Sequence, residues 1–366
     1  MNGIWQYGHL LSPIAEPNKI TLGEGNTPLV KSRRLGAALG LDHLYFKLEI
    51  TNPSGSYKDR FAAYAVADLL NRGSRFCLAT SSGNTGAALA AYCAAADIKC
   101  FLAIVDGAPT GKLQQMRVYG AEIMMIKNFG KDFMLTKEVM DRLTAIAAEH
   151  NSLVQISAYK YCPAGMSGVQ TISYELATAL PQENKHVFSP AGGGGLTLAI
   201  TEGFRIWKEH HPAFNPPRVY CVQPEGNDTI SGALREGMQE AKGISRSETL
   251  ISGLQVPNVL DGNKVIAGCR SSGGTGYVVA DEAVYECQQQ LATMEGIYCE
   301  PAGAVALAGL KHALHKKEID KKDHIICIVS GHGFKDPAST TRMADKTDAQ
   351  YFNTVNETIR FINAHI

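Results

Sequence analysis

One lysine at a predicted helix start is the first residue of this chain that invites chemistry. Lys58 lies in the turn Asn52-Pro-Ser-Gly-Ser-Tyr-Lys58-Asp-Arg60, just before the helical run Phe61–Leu70. The positive end of the helix dipole, with Arg60 alongside, should lower its pKa toward the free amine that attacks an aldehyde. Taken alone, the turn fits a solvated surface lysine on a capped helix equally well. A second turn, Ala79-Thr-Ser81-Ser-Gly-Asn84-Thr-Gly86, closes an apolar strand and opens a small-residue helix. Hydroxyls and successive N–H groups at a helix N-terminus form an anion site suited to an amino-acid carboxylate. Asn84 adds a neutral donor for a phenolate-like oxygen. A plain N-cap explains one serine there, but not the cluster.

Two further turns complete the set. Ser189-Pro-Ala-Gly192-Gly-Gly-Gly195-Leu196 lies between an apolar strand and the helical Thr197–Trp207. Four glycines before a helix let backbone amides wrap a phosphate without Cβ interference. No GK[ST] follows, and the GxGxxG spacing is absent, so neither a Walker A loop nor a dinucleotide fold is indicated. Ile325-Ile-Cys-Ile-Val-Ser330-Gly-His-Gly333 ends a buried strand with a hydroxyl pointing into the site. A neutral hydroxyl beside a pyridine nitrogen leaves that nitrogen largely unprotonated, which favours elimination over transamination. His332 reads more readily as a structural turn histidine than as a general base.

The elements that must position these turns alternate along the chain. Apolar strand-like runs (Phe76–Ala79, Cys100–Val105, Ile123–Ile126, Val187–Ser189, Val219–Gln223, Ile325–Ser330) are interleaved with helix-like segments such as Gly86–Ala95, Asp132–His150 and Asp281–Met294. This predicts an α/β fold with mostly parallel sheets covered by helices on both faces. Asn215–Arg218 and Gly243–Pro257 read as surface loops, and Asp345–Ile366 as a polar closing helix. At 366 residues, two lobes sharing one interface are expected.

Composition narrows the partners. Lys plus Arg and Asp plus Glu both total 35, so no net field draws the protein to nucleic acid or an anionic membrane. Nine scattered cysteines without a CxxC pair read as buried free thiols of a cytoplasmic protein. The opening MNGIWQYGHLL lacks a basic leader, and no apolar run is long enough to span a bilayer.

Five patches, in order over nearly the whole chain, resemble the fold-type II pyridoxal-phosphate (PLP) enzymes, and threonine synthases most. They are Leu22-Gly-Glu-Gly-Asn-Thr-Pro-Leu29, Pro53-Ser-Gly-Ser-Tyr-Lys58-Asp-Arg60, Ser82-Gly-Asn-Thr-Gly86, Glu300-Pro-Ala-Gly303 and Ser330-Gly-His-Gly-Phe-Lys-Asp-Pro337. The last is the most specific for threonine synthases. The resemblance implies a tryptophan synthase β-like fold with a large PLP domain from residues 1–60 and 155–366. A smaller mobile domain, 61–154, would close over the substrate. It also implies pyridoxal 5'-phosphate held by Lys58 through its aldehyde, Asn84 on the ring O3′, Gly192, Gly193, Gly194, Gly195 and Leu196 around the phosphate, and Ser330 facing the ring nitrogen. Ser81, Ser82 and Thr85 match the loop that takes the substrate carboxylate. A homodimer is the family expectation, and no metal is expected.

Two departures keep the reaction open. Threonine synthases usually carry asparagines in the phosphate loop, whereas this chain reads GGGGL, the form common in serine and threonine dehydratases. The family also tends to place an Asn and an Arg for the substrate phosphate in the segment matching Gln155–Thr171, yet no arginine occurs between Arg142 and Arg205. Lys160, Lys112 or Arg117 could substitute, or be ordinary surface charges. The leading expectation is a threonine synthase-like lyase converting O-phosphohomoserine and water to threonine and phosphate. The alternative is β-replacement or deamination of serine, phosphoserine or threonine. A silent sensor of the same fold is disfavoured by the intact Lys58, Asn84 and Ser330.

Overall fold

Strands too apolar to face water on either side need helices on both, and that requirement shapes the molecule. The protein is represented by a computed structural model, which describes residues 3–106, 110–179, 185–345 and 349–366; the side chains of 110–112 lie outside the description. Ten strands are present among the described residues: β1 (Leu29–Lys31), β2 (His43–Leu48), β3 (Phe76–Ala79), β4 (Lys99–Ile104), β5 (Glu122–Met125), β6 (Val154–Gln155), β7 (Lys185–Pro190), β8 (Arg218–Pro224), β9 (Gly276–Val279) and β10 (His324–Val329). They form a six-stranded sheet in the order β1-β2-β10-β7-β8-β9 and a four-stranded sheet in the order β5-β4-β3-β6. Only β1 with β2 is antiparallel; the other pairs are parallel. The first sheet therefore draws its strands from both ends of the chain, and the second from the middle.

Every residue of β7 is buried, and the helices Lys58–Asn71, Asn84–Ala95 and Pro301–His315 bury most of their residues. Such all-round burial explains their Ala and Gly content, since small side chains let helix and sheet backbones approach closely. All nine cysteines are buried and unpaired, as expected of small core residues. No helix among the described residues is long and apolar enough to cross a membrane.

Two sequence readings need adjustment. Gly243–Pro257 has no regular structure, but Ile251 and Leu254 are buried and the segment packs over the glycine loop instead of lying free on the surface. The polar closing helix occupies Val355–His365, shorter than the expected Asp345–Ile366, and residues 346–348 lie outside the described residues. Its Thr354 and Glu357 form a reciprocal capping box that fixes the later start.

Candidate active site

The turn before Lys58 is locked by its own neighbours. Asp59 accepts hydrogen bonds from the Ser54 backbone N–H at 2.8 Å and the Ser54 hydroxyl at 2.7 Å, so the helix can begin at Lys58 itself. The segment after β10 then threads between two others. Tyr57 donates its N–H to the Ser330 carbonyl at 3.0 Å, His332 to the Gly55 carbonyl at 2.9 Å, and Glu300 to the Gly331 carbonyl at 3.0 Å. In this way Lys58, Ser330 and Glu300, far apart in sequence, share one small region.

The Lys58 amine is enclosed there. Its Nζ donates to Ser157 Oγ at 2.7 Å and lies 4.3 Å from the centre of the Tyr57 ring. Ser157 Oγ is in turn 2.8 Å from Thr85 Oγ1, so a hydroxyl chain runs from the lysine to the serine- and threonine-rich turn. Burial pushes the Lys58 amine down to about 7, although Asp261 and Glu300 pull the other way. An amine that gives up its proton near neutrality is both a nucleophile toward an aldehyde and a base for a carbon acid. Arg60, expected beside it, has no part in this. It is fully buried and faces away, with Nε 2.8 Å from Glu49 Oε2 and Nη1 2.6 Å from Glu175 Oε1.

That cluster gives the Leu22–Leu29 patch its physical meaning. Arg60 Nη2 donates to Thr27 Oγ1 at 3.2 Å, Asn26 N–H to Glu175 Oε1 at 2.8 Å, and Lys47 pairs with Glu175. Burial opposes ionisation of Glu175, but Arg60 and Lys47 together hold its carboxyl down to about 2. Glu24, fully buried, accepts from the Tyr92 hydroxyl at 2.8 Å. The patch is scaffold: it staples the chain's first turns beneath the lysine helix.

The remaining expected residues fall around Lys58. Asn84 begins the helix Asn84–Ala95, and its Nδ2 donates to Glu300 Oε1 at 2.7 Å. Ser82 and Asn84 line a narrow cleft, together with Gln115, Ser252, Glu300 and Lys335. Ser81 accepts from the Gly83 N–H at 3.3 Å. Ser330 is buried at the end of β10. His332 acts as a cap, accepting the Phe334 N–H at 3.2 Å and stacking on the Phe334 ring, which supports its structural reading. Lys160 and Arg117 are exposed, with Lys160 against the Tyr161 ring, and Lys112 lies outside the described side chains.

The glycine loop is a cradle that side chains would fill. A Cβ on Gly192 would meet Val256 at 3.1 Å, on Gly193 Leu260 at 2.9 Å, on Gly194 Val265 at 2.7 Å, and on Gly195 the Ser157 carbonyl at 3.1 Å. Gly194 also has φ +93°, a left-handed conformation that lets Gly195 and Leu196 open the helix Gly195–His210, whose first N–H groups have no acceptor within the helix. Gly193 O accepts the Asp261 N–H at 3.2 Å, and the Asp261 carboxylate accepts the Tyr159 and Lys160 N–H groups at 2.8 and 3.0 Å. The residues thus fit a phosphorylated aldehyde: a cradle for phosphate, an enclosed lysine amine, an amide and a strand-end hydroxyl.

Ser157, Asp261 and Glu300 were not singled out by sequence reasoning. Glu300 lies in the quoted Glu300–Gly303 patch, which could have pointed to it; Ser157 and Asp261 sit in loops with no local signal.

Comparison with known proteins agrees with this geometry. The profile of the family described as pyridoxal-phosphate dependent enzyme matches residues 20–331. Threonine synthase of Methanocaldococcus jannaschii is 33% identical over 348 residues, covering 94% of this chain and 83% of the relative. Threonine synthase of Halalkalibacterium halodurans is 32% identical over 349 residues, covering 94% and 92%. Among solved structures, maize serine racemase superposes with a TM-score of 0.72 at 24% identity, covering 88% of this chain and 92% of that one. The processed threonine deaminase isoform 2 of Solanum lycopersicum gives 0.72 at 20% identity, covering 94% of each.

Proposed function

We propose, from the premise that this chain belongs to the pyridoxal-phosphate dependent enzyme family, that it catalyses elimination and water addition on a phosphorylated small amino acid, O-phosphohomoserine, releasing threonine and phosphate. The observation that carries the reading is the enclosed Lys58 amine, held near 7 and bonded to Ser157 beside the Thr85 turn. The relatives named threonine synthase favour this substrate over others.

Bound pyridoxal phosphate supplies the electron sink that makes the Cα proton of an amino acid acidic. The chain's own residues do the rest. Lys58 would hold the cofactor at its aldehyde, and once the substrate amine takes its place there, the freed Nζ would accept the proton from Cα and move one at Cβ. Ser157 orients that amine by accepting from it. Ser81, Ser82 and Thr85, at the start of the Asn84–Ala95 helix, hold the substrate carboxylate. Asn84, steadied by Glu300, would hold the ring oxygen. Gly192–Gly195 and Leu196 would take the cofactor phosphate, and Ser330 would offer a neutral hydroxyl to the ring nitrogen. A smaller unit, residues 61–154, closes on the larger one built from 1–60 and 155–366, excluding stray water. The enzyme works as a cytoplasmic homodimer; its nine buried thiols suit a reducing compartment.

A second reading has its own support: the GGGGL loop and the absence of arginine from 143–204 suit β-elimination or β-replacement on serine, phosphoserine or threonine. Incubation with phosphohomoserine, phosphoserine, serine and threonine separates the two. Threonine and phosphate formed only from phosphohomoserine support the first; ammonia from a three-carbon substrate, with no threonine, refutes it.

A further inference from the structure

We propose that Lys335 receives the side-chain phosphate of the substrate, in the role that an arginine of segment 155–171 would otherwise play. The inference rests on the phosphorylated-substrate reading above and adds the residue that would make the enzyme select it.

Lys335 is the one cation among the described residues lining the cleft that holds Ser82, Asn84 and Glu300. It reaches this position because β10 ends at Val329 and the Gly333–Lys335 turn folds back over the Gly55 loop, where a Cβ on Gly55 would lie 3.2 Å from Lys335 Cε. Among the described residues its ammonium has one side-chain hydrogen-bond partner, Gln115 Oε1 at 2.6 Å, a neutral amide from across the cleft. The Gln115 amide is itself anchored, donating from Nε2 to the Ser54 carbonyl at 3.0 Å. Among the described residues no carboxylate forms an ion pair with Lys335; Glu300 and Asp59 act on it only from a distance, while burial pushes its pKa down. Glu300 is already the acceptor of Asn84.

A half-buried cation that, among the described residues, is matched by a neutral amide and no carboxylate is under-compensated, and an arriving dianion corrects the deficit. The same cleft is lined by Gln115 and Ser252, neutral polar side chains outside the carboxylate turn, so a phosphate there meets hydrogen-bonding groups as well as charge. The α-carboxylate is provided for by the hydroxyl turn, which leaves the second anion of the substrate for Lys335. Phosphate at this position would take over the ammonium from Gln115, linking substrate binding to the wall that carries the Thr110–Val118 helix.

The test uses the PLP-loaded enzyme and its Lys335→Gln and Lys335→Arg variants, each checked for retained visible cofactor absorbance. With phosphohomoserine, Lys335→Gln should raise KM by about 10- to 100-fold, and Lys335→Arg should recover most of the loss. Inorganic phosphate should bind the wild-type holoenzyme, read by calorimetry, and bind Lys335→Gln at least about tenfold more weakly. A KM for Lys335→Gln within about threefold of wild type, while the wild type makes threonine, overturns the inference and leaves the proposed function standing. A wild type that makes no threonine overturns the proposed function instead. Phosphate binding that is absent from the wild type, or equal in wild type and Lys335→Gln, overturns the inference whatever the substrate.

Discussion

Replacing Lys58 with methionine should stabilise the cofactor-free protein at neutral and acid pH, and the gain should fade as pH rises. In the folded protein the amine titrates at about 7, against 10.5 for an ordinary lysine, because burial disfavours its charged form. Between those values the unfolded chain carries a proton that the folded one has released, so wild-type stability climbs with pH. The full cost is felt below pH 7, where folding must bury a charged amine. At about 1.4 kcal/mol for each pH unit, the depression from 10.5 to about 7 corresponds to at most about 5 kcal/mol. Lys58 keeps some solvent contact as a residue, so part of that is the realistic gain. Methionine fills a similar volume without a charge, and any packing difference is independent of pH. Urea unfolding of the stripped wild type and Lys58→Met at pH 6, 7, 8 and 9 should therefore show a gap that narrows by about 1 kcal/mol per unit above pH 7. A gap that stays constant from pH 6 to pH 9 would show that burial does not depress the amine, and with it the argument for a ready base at neutrality would fall.

Other changes probe the parts around that lysine. Ser157→Ala removes the acceptor at 2.7 Å from Lys58 Nζ and the link to Thr85, and should lower kcat about 10- to 100-fold with little change in cofactor loading; phosphate release and visible absorbance measure the two separately. Gly194→Ala puts a Cβ 2.7 Å from Val265 on a residue at φ +93°. Cofactor affinity should fall by about 1–3 kcal/mol, and an unchanged dissociation constant would argue against the loop as phosphate cradle. Arg60→Ala leaves Glu49 and Glu175 buried without their guanidinium and should cost about 3–5 kcal/mol in urea unfolding; a loss under about 1 kcal/mol would mean the cluster is not a staple.

The chain announces some of this plainly and conceals the rest. Apolar strands such as Phe76–Ala79 and the glycine run before the Gly195–His210 helix are local signals, because period, β-branching and missing Cβ atoms act within a few residues. The edge strand β1, only three residues long and partly exposed, carries no such pattern. Arg60 was misread for a related reason: sequence adjacency put it beside Lys58, whereas successive helix positions point about 100° apart, and two positions on it faces Glu49 and Glu175. Ser157 and Asp261 are ordinary residues in ordinary turns, and Lys335, though inside the Ser330–Pro337 patch, carries no local sign of the cleft it lines. What makes them candidates is the company that long-range strand pairing brings, as when β10 lies between β2 and β7.

That placement of β10 also bears on how the protein is made. The strand completing the six-stranded sheet is the last to leave the ribosome, yet it sits in the middle and its end holds the Ser330–Gly333 segment against the turn before Lys58. At ordinary synthesis rates, on the order of tens of seconds separate the emergence of Lys58 from that of Ser330. From the emergence of β7 until that of β10, β2 and β7 have an open seam between them, and the lysine is not yet enclosed. The nascent chain is therefore exposed to misassembly at its own centre, and acquisition of the cofactor becomes a sign that translation has passed Ser330.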